Sequence, residues 1–320
     1  MVTINYQGEV FSVEENETVL ETLLKKGVKV ANSCRAGVCQ SCILKSEKTC
    51  LPAEAQNGLK ETLKTQGYFL SCMYRPQEDL TIVSAADLQI PVYIVDKEML
   101  NQDVLCLKLK YEDEFAFQAG QFINLIREDG LARSYSIASL PSDGYLALHI
   151  RLIANGQMSG WLSYQAKIGE KLYIQGPKGD CFYLNNNKQQ PLLMVGTGTG
   201  LAPLYGILQD ALKQGHDGEI HLFHGALKHE GIYLKDELYF LSKQYSHFYY
   251  HPSVLQGETD NIVEVGAINQ LVFKHIPKLK GWRAFLCGHP ELVNSLKKQV
   301  FLAGVSSKDI YSDAFFASAN

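Results

Sequence analysis

Four cysteines, three of them closely spaced, are the residues in this chain whose pattern points most directly to chemistry. Cys34, Cys39 and Cys42 follow a C-x4-C-x2-C spacing, and Cys72 lies further along the chain. This spacing, completed by a distant fourth thiolate, is one of those that bind a [2Fe–2S] cluster. Gly37 allows the backbone to turn tightly and to direct N–H groups at the cluster. The sequence therefore predicts that these four cysteines are metal ligands.

Two other interpretations of the cysteines stay open. Zinc ribbons hold their metal with paired C-x2-4-C knuckles, whereas this segment has a single C-x2-C pair, so the spacing favours iron over zinc. Cys50 lies between Cys42 and Cys72 and is the alternative to Cys72 as the fourth ligand. Leu70-Ser71-Cys72 resembles the Leu-Ser-Cys pattern of plant-type ferredoxins, and this favours Cys72.

A second group of residues, with the chemistry to hold a flavin, lies on a predicted strand. Arg133 and Tyr135 share one face of this strand, and Ser136 points the opposite way. Arg133 can donate charge-assisted hydrogen bonds to a pyrophosphate, and Tyr135 can lie against the isoalloxazine ring. Ser136 can hydrogen-bond the reactive N5, which makes it a candidate catalytic residue. For this segment alone, an ordinary surface strand is the alternative.

A turn that leads into a predicted helix offers a site for a phosphate. The N–H groups at a helix N-terminus have no intrahelical acceptor, and a hydroxyl in the first turn adds another donor. The G-x-x-S-G order differs from the G-x-S-x-G of serine hydrolases, and no catalytic base is paired with the serine. The cofactor-binding residues predicted here and at the end of the preceding strand are His149, Ile150, Arg151, Gly156, Met158 and Ser159.

A glycine-rich turn between a strand and a helix indicates a nucleotide site. Residues 191–195 are an apolar run typical of a buried parallel strand, and the helix is predicted over residues 204–213. Glycines let a pyrophosphate approach the backbone closely, and the helix dipole favours its negative charge. The residues predicted to bind the nucleotide are Gly196, Thr197, Gly198, Thr199, Gly200 and Pro203.

The periodicity of the chain divides it into three regions that must position these residues. Residues 1–86 read as two strands, a helix, the cysteine loop and further strands. Residues 87–187 contain six alternating strands with glycine-rich turns, which predicts an antiparallel β-barrel. Residues 188–320 alternate strands with helices, which predicts a parallel α/β sheet with its ligand at the carboxyl edge.

Composition excludes several classes of protein. The chain has 320 residues, 46% hydrophobic content and a net charge of −4, which is typical of globular proteins and gives no reason to expect nucleic acid. The sequence shows neither a signal peptide nor an apolar run long enough to span a membrane. The nine histidines are scattered, and His224, His229, His247 and His251 show no metal-ligand spacing on a common helix face. The other four cysteines are scattered, so we expect a cytoplasmic protein, and we expect it to be a monomer.

The motifs resemble those of known families. Residues 1–86 resemble plant-type ferredoxins, and the R-x-Y-S segment with its G-x-x-S turn resembles the FAD-binding domain of the ferredoxin–NADP reductase superfamily. Gly176-Pro177-Lys178-Gly179 matches that superfamily's G-P-x-G turn. Cys287-Gly288-His289-Pro290 resembles its C-G-x-P motif, and residues 313–318 resemble its aromatic C-terminus.

The resemblance implies roles for these last residues. Cys287 is implied to lie where nicotinamide C4 approaches flavin N5, and is therefore the second candidate catalytic residue. Gly288 and Pro290 are implied to contact the cofactors. One of the two terminal phenylalanines is implied to cover the flavin, and Phe316 is the one predicted.

The whole chain resembles the reductase components of bacterial multicomponent oxygenases, and equally the reductase of CDP-6-deoxyhexose biosynthesis. This resemblance implies a multidomain α+β and α/β protein: a β-grasp ferredoxin domain, an antiparallel FAD-binding β-barrel and a parallel α/β nucleotide-binding domain. Electrons are then expected to pass from NAD(P)H through FAD and a [2Fe–2S] cluster to a separate terminal protein, an oxygenase or hydroxylase component. A flavin is required between the other two because only it exchanges both hydride and single electrons.

Alternatives of other classes remain at this point. A redox-sensing protein with vestigial reductase activity is disfavoured by the intact Arg133, Ser136, Gly196 and Cys287, and a free-flavin reductase is disfavoured by the retained cluster motif. NADH is favoured over NADPH because residues 231–238 resemble NADH-using relatives. Lys228 and His229 are nevertheless placed where they could contact a 2′-phosphate.

Overall fold

The chain divides into two units, Met1–Leu88 and Gln89–Asn320. The computed structural model describes residues 2–28, 30, 35–37, 42–83, 90–112, 115–257 and 260–315. Among these described residues, no helix combines the length and the hydropathy needed to cross a membrane.

The first unit is built from short strands and two helices. Its elements are β1 (Thr3–Tyr6), β2 (Glu9–Ser12), α1 (Val19–Lys25), β3 (Ile43–Lys45), α2 (Glu61–Thr65), β4 (Tyr68–Leu70) and β5 (Leu80–Ile82). The main sheet has the order β2-β1-β5, with β1 antiparallel to β2 and parallel to β5. The turn between β1 and β2 is Gln7-Gly8, where both residues have positive φ, as a tight two-residue hairpin requires. A second, antiparallel ladder joins β3 to β4.

Helix α1 packs its apolar face into the core of this unit. Val19, Leu20 and Leu23 are almost completely buried. The helix begins at Thr18, whose hydroxyl accepts from the N–H of Glu21 while the Glu21 carboxylate accepts from the N–H of Thr18. This reciprocal capping satisfies two backbone donors that the helix leaves unpaired, and it fixes where the helix starts.

The second unit begins with an antiparallel β-barrel. Its elements are β6 (Ile90–Met99), β7 (Val104–Tyr111), β8 (Phe122–Ile126), β9 (Ala132–Ser136), β10 (Leu146–Arg151), α3 (Gln157–Tyr164) and β11 (Lys171–Lys178). The strand order is β10-β7-β6-β11-β8-β9. A bridge between Ile137 and Leu148 joins the two outer strands and closes the sheet on itself. The fully buried Leu107, Leu125 and Leu148 belong to the core of the barrel.

A six-stranded parallel sheet completes the second unit. Its elements are β12 (Leu192–Thr197), α4 (Leu201–Lys213), β13 (Ile220–Ala226), α5 (Lys235–Gln244), β14 (Phe248–Val254), β15 (Glu264–Val265), α6 (Ile268–His275), β16 (Arg283–Gly288), α7 (Pro290–Leu302) and β17 (Ile310–Ala314). The order is β15-β14-β13-β12-β16-β17. The direction of the order reverses at β12, so a ligand crevice is expected at the carboxyl ends of β12 and β16.

Side chains of β12 alternate between two cores, one on each face of the sheet. Leu192 and Met194 pack with α4, and Leu193 and Val195 pack with α6 and α7. Helix α4 begins at Leu201, earlier than the predicted residue 204, because proline fits the first turn of a helix and Pro203 does not interrupt it. The start of the predicted aromatic tail is strand, since residues up to Ala314 belong to β17.

Candidate functional site

The β3–β4 ladder brings two of the predicted cluster ligands together. Strand β3 begins directly after Cys42, and β4 ends shortly before Cys72, with Ile43 opposite Leu70 in the antiparallel register. The Sγ atoms of Cys42 and Cys72 are 3.2 Å apart, and both side chains are buried. The pairing of two short strands therefore places cysteines that are distant in sequence at one point.

Backbone hydrogen bonds fix this pair of thiols from both sides. The N–H and the hydroxyl of Ser71 donate to the carbonyl oxygen of Cys42 at 3.1 and 2.8 Å. The first turn of α1 holds the same loop, since the N–H of Leu20 donates to the Ser71 carbonyl at 3.0 Å. The first turn of α1 and the ligand loop are thus joined directly by a backbone hydrogen bond.

The described residues fit a [2Fe–2S] cluster at this point. Two buried thiols that face each other at this distance suit thiolate ligands of a shared metal centre. Gly37 has φ +75°, and a Cβ added to it would lie 3.0 Å from Cγ of Met73, directly after Cys72, so the loop packs closely here. Cys50 is exposed. The predicted ligands Cys34 and Cys39 lie outside the described residues.

The two candidate catalytic residues of the second unit are linked through a third residue, Asp313. The Ser136 hydroxyl donates to Oδ2 of Asp313 at 3.2 Å. Asp313 lies on β17 directly opposite Cys287 of β16 in the parallel register. A barrel strand thus meets the carboxyl edge of the parallel sheet, at the side where the strand order predicts a ligand crevice.

A second thiol accompanies Cys287. Its Sγ lies 3.7 Å from Sγ of Cys181, which follows β11, and both cysteines are buried. The contact with Cys287, together with burial, raises the pKa of the Cys181 thiol well above its ordinary value. The site therefore combines a hydroxyl, a carboxyl group and two thiols in a setting with little solvent.

The pKa of Asp313 is shifted toward neutral pH. Burial raises its pKa to about 6, although the hydrogen bond from Ser136 acts in the opposite direction and Asp180 adds to the rise. The carboxyl group can therefore hold or release a proton under physiological conditions. Sequence reasoning missed Asp313 and Cys181. The one signal for Asp313 was a charged residue in the C-terminal segment, and its pairing with Cys287 is visible only in the sheet.

Arg133 and Tyr135 share one side of β9, as predicted, and Ser136 is the more deeply buried residue on the other side. Tyr135 packs against the barrel core, and this burial raises the pKa of its phenol above the ordinary value. Nη1 of Arg133 donates to the Ala132 carbonyl at 2.8 Å. The alternation that puts Arg133 and Tyr135 on the face opposite Ser136 is therefore present.

At the end of β10, the side chains of His149 and Ile150 are buried against neighbouring residues. Ile150 belongs to the barrel core, whereas Arg151 is exposed. His149 is buried with Nδ1 3.2 Å from the Tyr233 hydroxyl, and its ring also contacts Tyr205 of α4. Burial lowers the pKa of His149 to about 4, so its imidazole is neutral at pH 7. The structure places His149 between the barrel and the parallel sheet.

The turn before α3 has the form expected of a phosphate site. Helix α3 begins directly after Gly156, so the N–H groups of its first turn have no acceptor within the helix. The Ser159 hydroxyl accepts from the N–H of Ile153 at 3.2 Å and closes the turn. A Cβ added to Gly156 would lie 2.4 Å from this hydroxyl oxygen, which explains the glycine. Met158 is buried beside them.

Three glycines allow the ends of β12 and β16 to meet. A Cβ added to Gly196 would lie 2.7 Å from Cδ1 of Leu204, and one added to Gly200 would lie 2.4 Å from the Cys287 carbonyl oxygen. Gly288 has φ +122°, and its added Cβ would lie 2.8 Å from Oγ1 of Thr197. These close approaches require glycine, because a side chain at any of the three positions would collide with the neighbouring atoms.

The remaining predicted residues of this edge lie on the two connections that follow β12 and β16. Gly198, Thr199 and Gly200 form a 3₁₀ turn that leads into α4, where Pro203 lies in the first turn. Pro290 is the first residue of α7. The predicted Phe316 lies outside the described residues, whereas the N–H of the preceding Phe315 donates to the Gly288 carbonyl at 2.8 Å.

Comparison with known proteins assigns each region of the chain. Residues 2–77 match the 2Fe-2S iron-sulfur cluster binding domain, residues 91–183 the oxidoreductase FAD-binding domain, and residues 194–298 the oxidoreductase NAD-binding domain. A naphthalene 1,2-dioxygenase system ferredoxin–NAD(P)(+) reductase component from Pseudomonas putida is 30% identical, with 93% of each chain covered. The chain belongs to this family of reductase components.

A further sequence relative and a solved structure match nearly the whole length of this chain. A reductase component of naphthalene 1,2-dioxygenase/salicylate 5-hydroxylase systems from a Ralstonia species is 29% identical, with 96% of each chain covered. The crystal structure of the Amycolatopsis cytochrome P450 reductase GcoB superposes with a TM-score of 0.68 at 26% identity, over 98% of this chain and 99% of that one. The predicted architecture and the three cofactors, FAD, a [2Fe–2S] cluster and NAD(P)H, are confirmed. This reductase is an oxidoreductase that transfers electrons from NAD(P)H to an acceptor protein.

Proposed function

We propose that this reductase delivers electrons from NADH to a separate oxygenase or hydroxylase component. The observation that carries the proposal is the contact of Ser136 with Asp313, next to Cys287, at the edge where the barrel meets the nucleotide-binding sheet. When bound, FAD accepts a hydride from the nicotinamide and releases the electrons singly to the [2Fe–2S] cluster. Relatives named as components of dioxygenase and monooxygenase systems support an oxygenase as the acceptor.

In the second unit, some residues bind the cofactors and others act at the reacting atoms. The Ser136 hydroxyl, which donates its hydrogen to Asp313, would present its oxygen to flavin N5 as a hydrogen-bond acceptor, and Asp313 orients that hydroxyl. Cys287 lies against the nicotinamide, where a small uncharged side chain permits close approach. Arg133 and the first turn of α3 hold the pyrophosphate through charge-assisted and backbone hydrogen bonds. The turn Gly198–Gly200 holds the phosphates of the nucleotide.

The preference for NADH is supported by a network of ion pairs after β13. His229 lies 3.3 Å from Oδ2 of Asp260, and Lys235 forms an ion pair with the same oxygen. The Lys235 ammonium and the His229 imidazole, both near the predicted adenosine position, are thereby held by one carboxylate. A 2′-phosphate would have to compete with Asp260 for them. The ratio of kcat/KM for NADH and NADPH tests this preference, and a ratio below one contradicts it.

The division into domains at residues 1–86, 87–187 and 188–320 remains our proposal, as does the role of this reductase as a cytoplasmic monomer. The three family matches fall one within each of the proposed domains. Size-exclusion chromatography with light scattering tests the oligomeric state, and a mass of twice the 35.8 kDa of one chain contradicts a monomer.

The experiment that tests the proposed function measures NADH-dependent reduction of cytochrome c, a one-electron acceptor, by the purified holoprotein. We expect the wild type to reduce it, and we expect Cys39→Ser to lose this activity while NADH still reduces the flavin. Cytochrome c reduction that survives in Cys39→Ser contradicts the route through the cluster. A pull-down with the reduced protein then identifies the acceptor; recovery of a deoxysugar dehydrase in place of an oxygenase component contradicts the proposed partner.

A further inference from the structure

Three histidines and a glutamate from four different elements converge at the outer edge of the parallel sheet. His221 lies on β13, His251 on β14, Glu264 on the edge strand β15, and His275 at the end of α6. The rings of His251 and His275 have centroids 4.6 Å apart, and Nε2 of His275 lies 2.5 Å from Oε1 of Glu264. We call these four residues the histidine cluster. None of them belongs to the flavin or nucleotide site described above.

We propose that His251, Glu264 and His275 form a binding site for a zinc ion. One ligand atom from each of the three residues lies within 4.8 Å of the other two. Two zinc–ligand bonds of about 2.1 Å at a tetrahedral angle separate the ligand atoms by about 3.4 Å. The side chains therefore need to move only by a rotamer adjustment, and not by a rearrangement of the strands, to surround the ion.

The donor set selects the class of metal. Two imidazole nitrogens and one carboxylate oxygen are the ligands of a zinc site with one open position, whereas magnesium and calcium prefer oxygen donors throughout. Ligation also requires neutral imidazoles.

Neighbouring side chains already orient the proposed ligands. Nδ1 of His221 lies 3.1 Å from Nε2 of His251, and this hydrogen bond fixes the orientation of the His251 ring. Lys274 donates to Oε2 of Glu264 at 2.8 Å, which leaves Oε1 directed at His275. Contacts of this kind around metal ligands fix the ligand geometry and raise the affinity for the ion.

A zinc ion bound by these residues would connect β14, the edge strand β15 and the end of α6. Strand β15 has only two residues, Glu264–Val265, and it pairs with β14 alone. The other end of α6 begins with Ile268, which packs close to Gly225 beside Thr197 of the nucleotide turn. The ion would therefore fasten the edge strand and the end of α6 to β14, and would stabilise the nucleotide-binding sheet from outside its ligand crevice.

The test is zinc binding by the holoprotein, loaded with FAD and cluster and freed of other metals by a chelator. Isothermal titration with zinc chloride is expected to give one saturable site, and thermal unfolding is expected to shift to higher temperature. Glu264→Gln and His275→Gln are expected to weaken the affinity by about tenfold or more, since each loses a ligand. His229→Gln is the matched control: it removes an imidazole that lies 3.3 Å from a carboxylate outside the cluster, and affinity is expected to persist.

X-ray absorption of the zinc-loaded wild type makes the test independent of whether the variants fold. We expect nitrogen and oxygen ligands with an imidazole signature, and unchanged visible absorbance of the iron–sulfur cluster during the titration. Sulfur ligands, or zinc uptake that tracks loss of the cluster, would overturn the proposal. So would the lack of a saturable site in the wild type, or equal affinity in Glu264→Gln and the wild type.

Discussion

The thiol pair of the first unit and the Ser136–Asp313 contact of the second place reactive groups by different means. Cys42 and Cys72 meet because two short neighbouring strands pair, and the backbone of one loop fixes them. Ser136, Asp313 and Cys287 meet only when a barrel strand packs against the edge of a separate parallel sheet. The first arrangement offers soft ligands for metal, and the second offers a protonatable carboxyl group next to a hydroxyl.

This difference teaches that the two ends of the electron path are chemically independent. Thiolates bound to iron have no proton to exchange near neutral pH, whereas the pKa of Asp313 is about 6 because of burial. Removing a group at one end should therefore leave the chemistry of the other end intact. Single substitutions at each end can therefore be compared by their separate effects on the flavin and on the cluster.

The largest effect is expected for Cys72→Ser. Loss of this thiolate should prevent assembly of the cluster and reduce NADH-dependent cytochrome c reduction to background, because the hydroxyl of serine is a poor substitute for a soft iron ligand. Flavin reduction by NADH should persist. The exposed Cys50 is the matched control, and Cys50→Ser should keep both the cluster spectrum and the activity. An intact cluster in Cys72→Ser with a lost one in Cys50→Ser would reverse the ligand assignment.

At the other end, Ser136→Ala should slow flavin reduction on the order of 100-fold, because a hydrogen-bonding group at the reacting atom is removed. Stopped-flow absorbance under anaerobic conditions measures this rate, and the cluster spectrum should not change. Ser134→Ala is the control, since Ser134 bonds to Asn124 on the neighbouring strand and does not contact Asp313. Equal rates in the two variants would show that Ser136 has no special role.

Cys287→Ala is expected to slow flavin reduction by NADH about tenfold, which is a smaller loss than for Ser136→Ala. The substitution leaves a small gap at the nicotinamide position and removes the contact with Cys181, which should loosen the alignment of the reactants. Cys106→Ala, at another buried cysteine on β7 of the barrel, controls for lost volume. Loss of iron from Cys287→Ala would count against the placement of this residue at the flavin end.

The smallest effect is expected in the pH profile. Ionised Asp313 accepts the hydrogen bond of Ser136, so the rate of flavin reduction should fall several-fold as the pH drops below about 6, where the pKa of this carboxyl group lies. The pKa of Asp313 is higher in the folded than in the unfolded protein, so the folded state binds its proton more tightly. The contribution of Asp313 to the free energy of unfolding therefore decreases as the pH rises from about 4 to about 6. Asp313→Asn should remove the inflection in the rate. A profile unchanged by this substitution would assign the titration to another group.

Local pattern was enough to predict a [2Fe–2S] cluster binding domain and the order of elements. The C-x4-C-x2-C spacing lies within one short stretch of the sequence, and the alternation of strands and helices indicated the parallel sheet with its turn at Gly196. Asp313 could not be predicted in the same way, because it lies 177 residues from Ser136 in sequence and acquires its role through the pairing of β16 with β17.

The histidines also show that side chains brought together by the fold cannot be paired from the sequence. Metal-ligand spacing on one helix face is visible in a sequence, whereas His251, Glu264 and His275 come from two strands and a helix and meet only in the folded sheet. His149 was predicted to bind cofactor from its position at the end of a strand. That role remains a prediction, and the structure adds contacts of its ring with Tyr233 and Tyr205, a long-range packing that no local pattern encodes.

The most direct test of the whole account is an anaerobic stopped-flow experiment with NADH, in which flavin and cluster absorbance are followed together in the wild type and in Cys72→Ser. We expect the flavin band to decay first and the cluster band to follow in the wild type, and we expect only the flavin phase to remain in Cys72→Ser. Reduction of the cluster by NADH at the same rate in protein stripped of its flavin would contradict it.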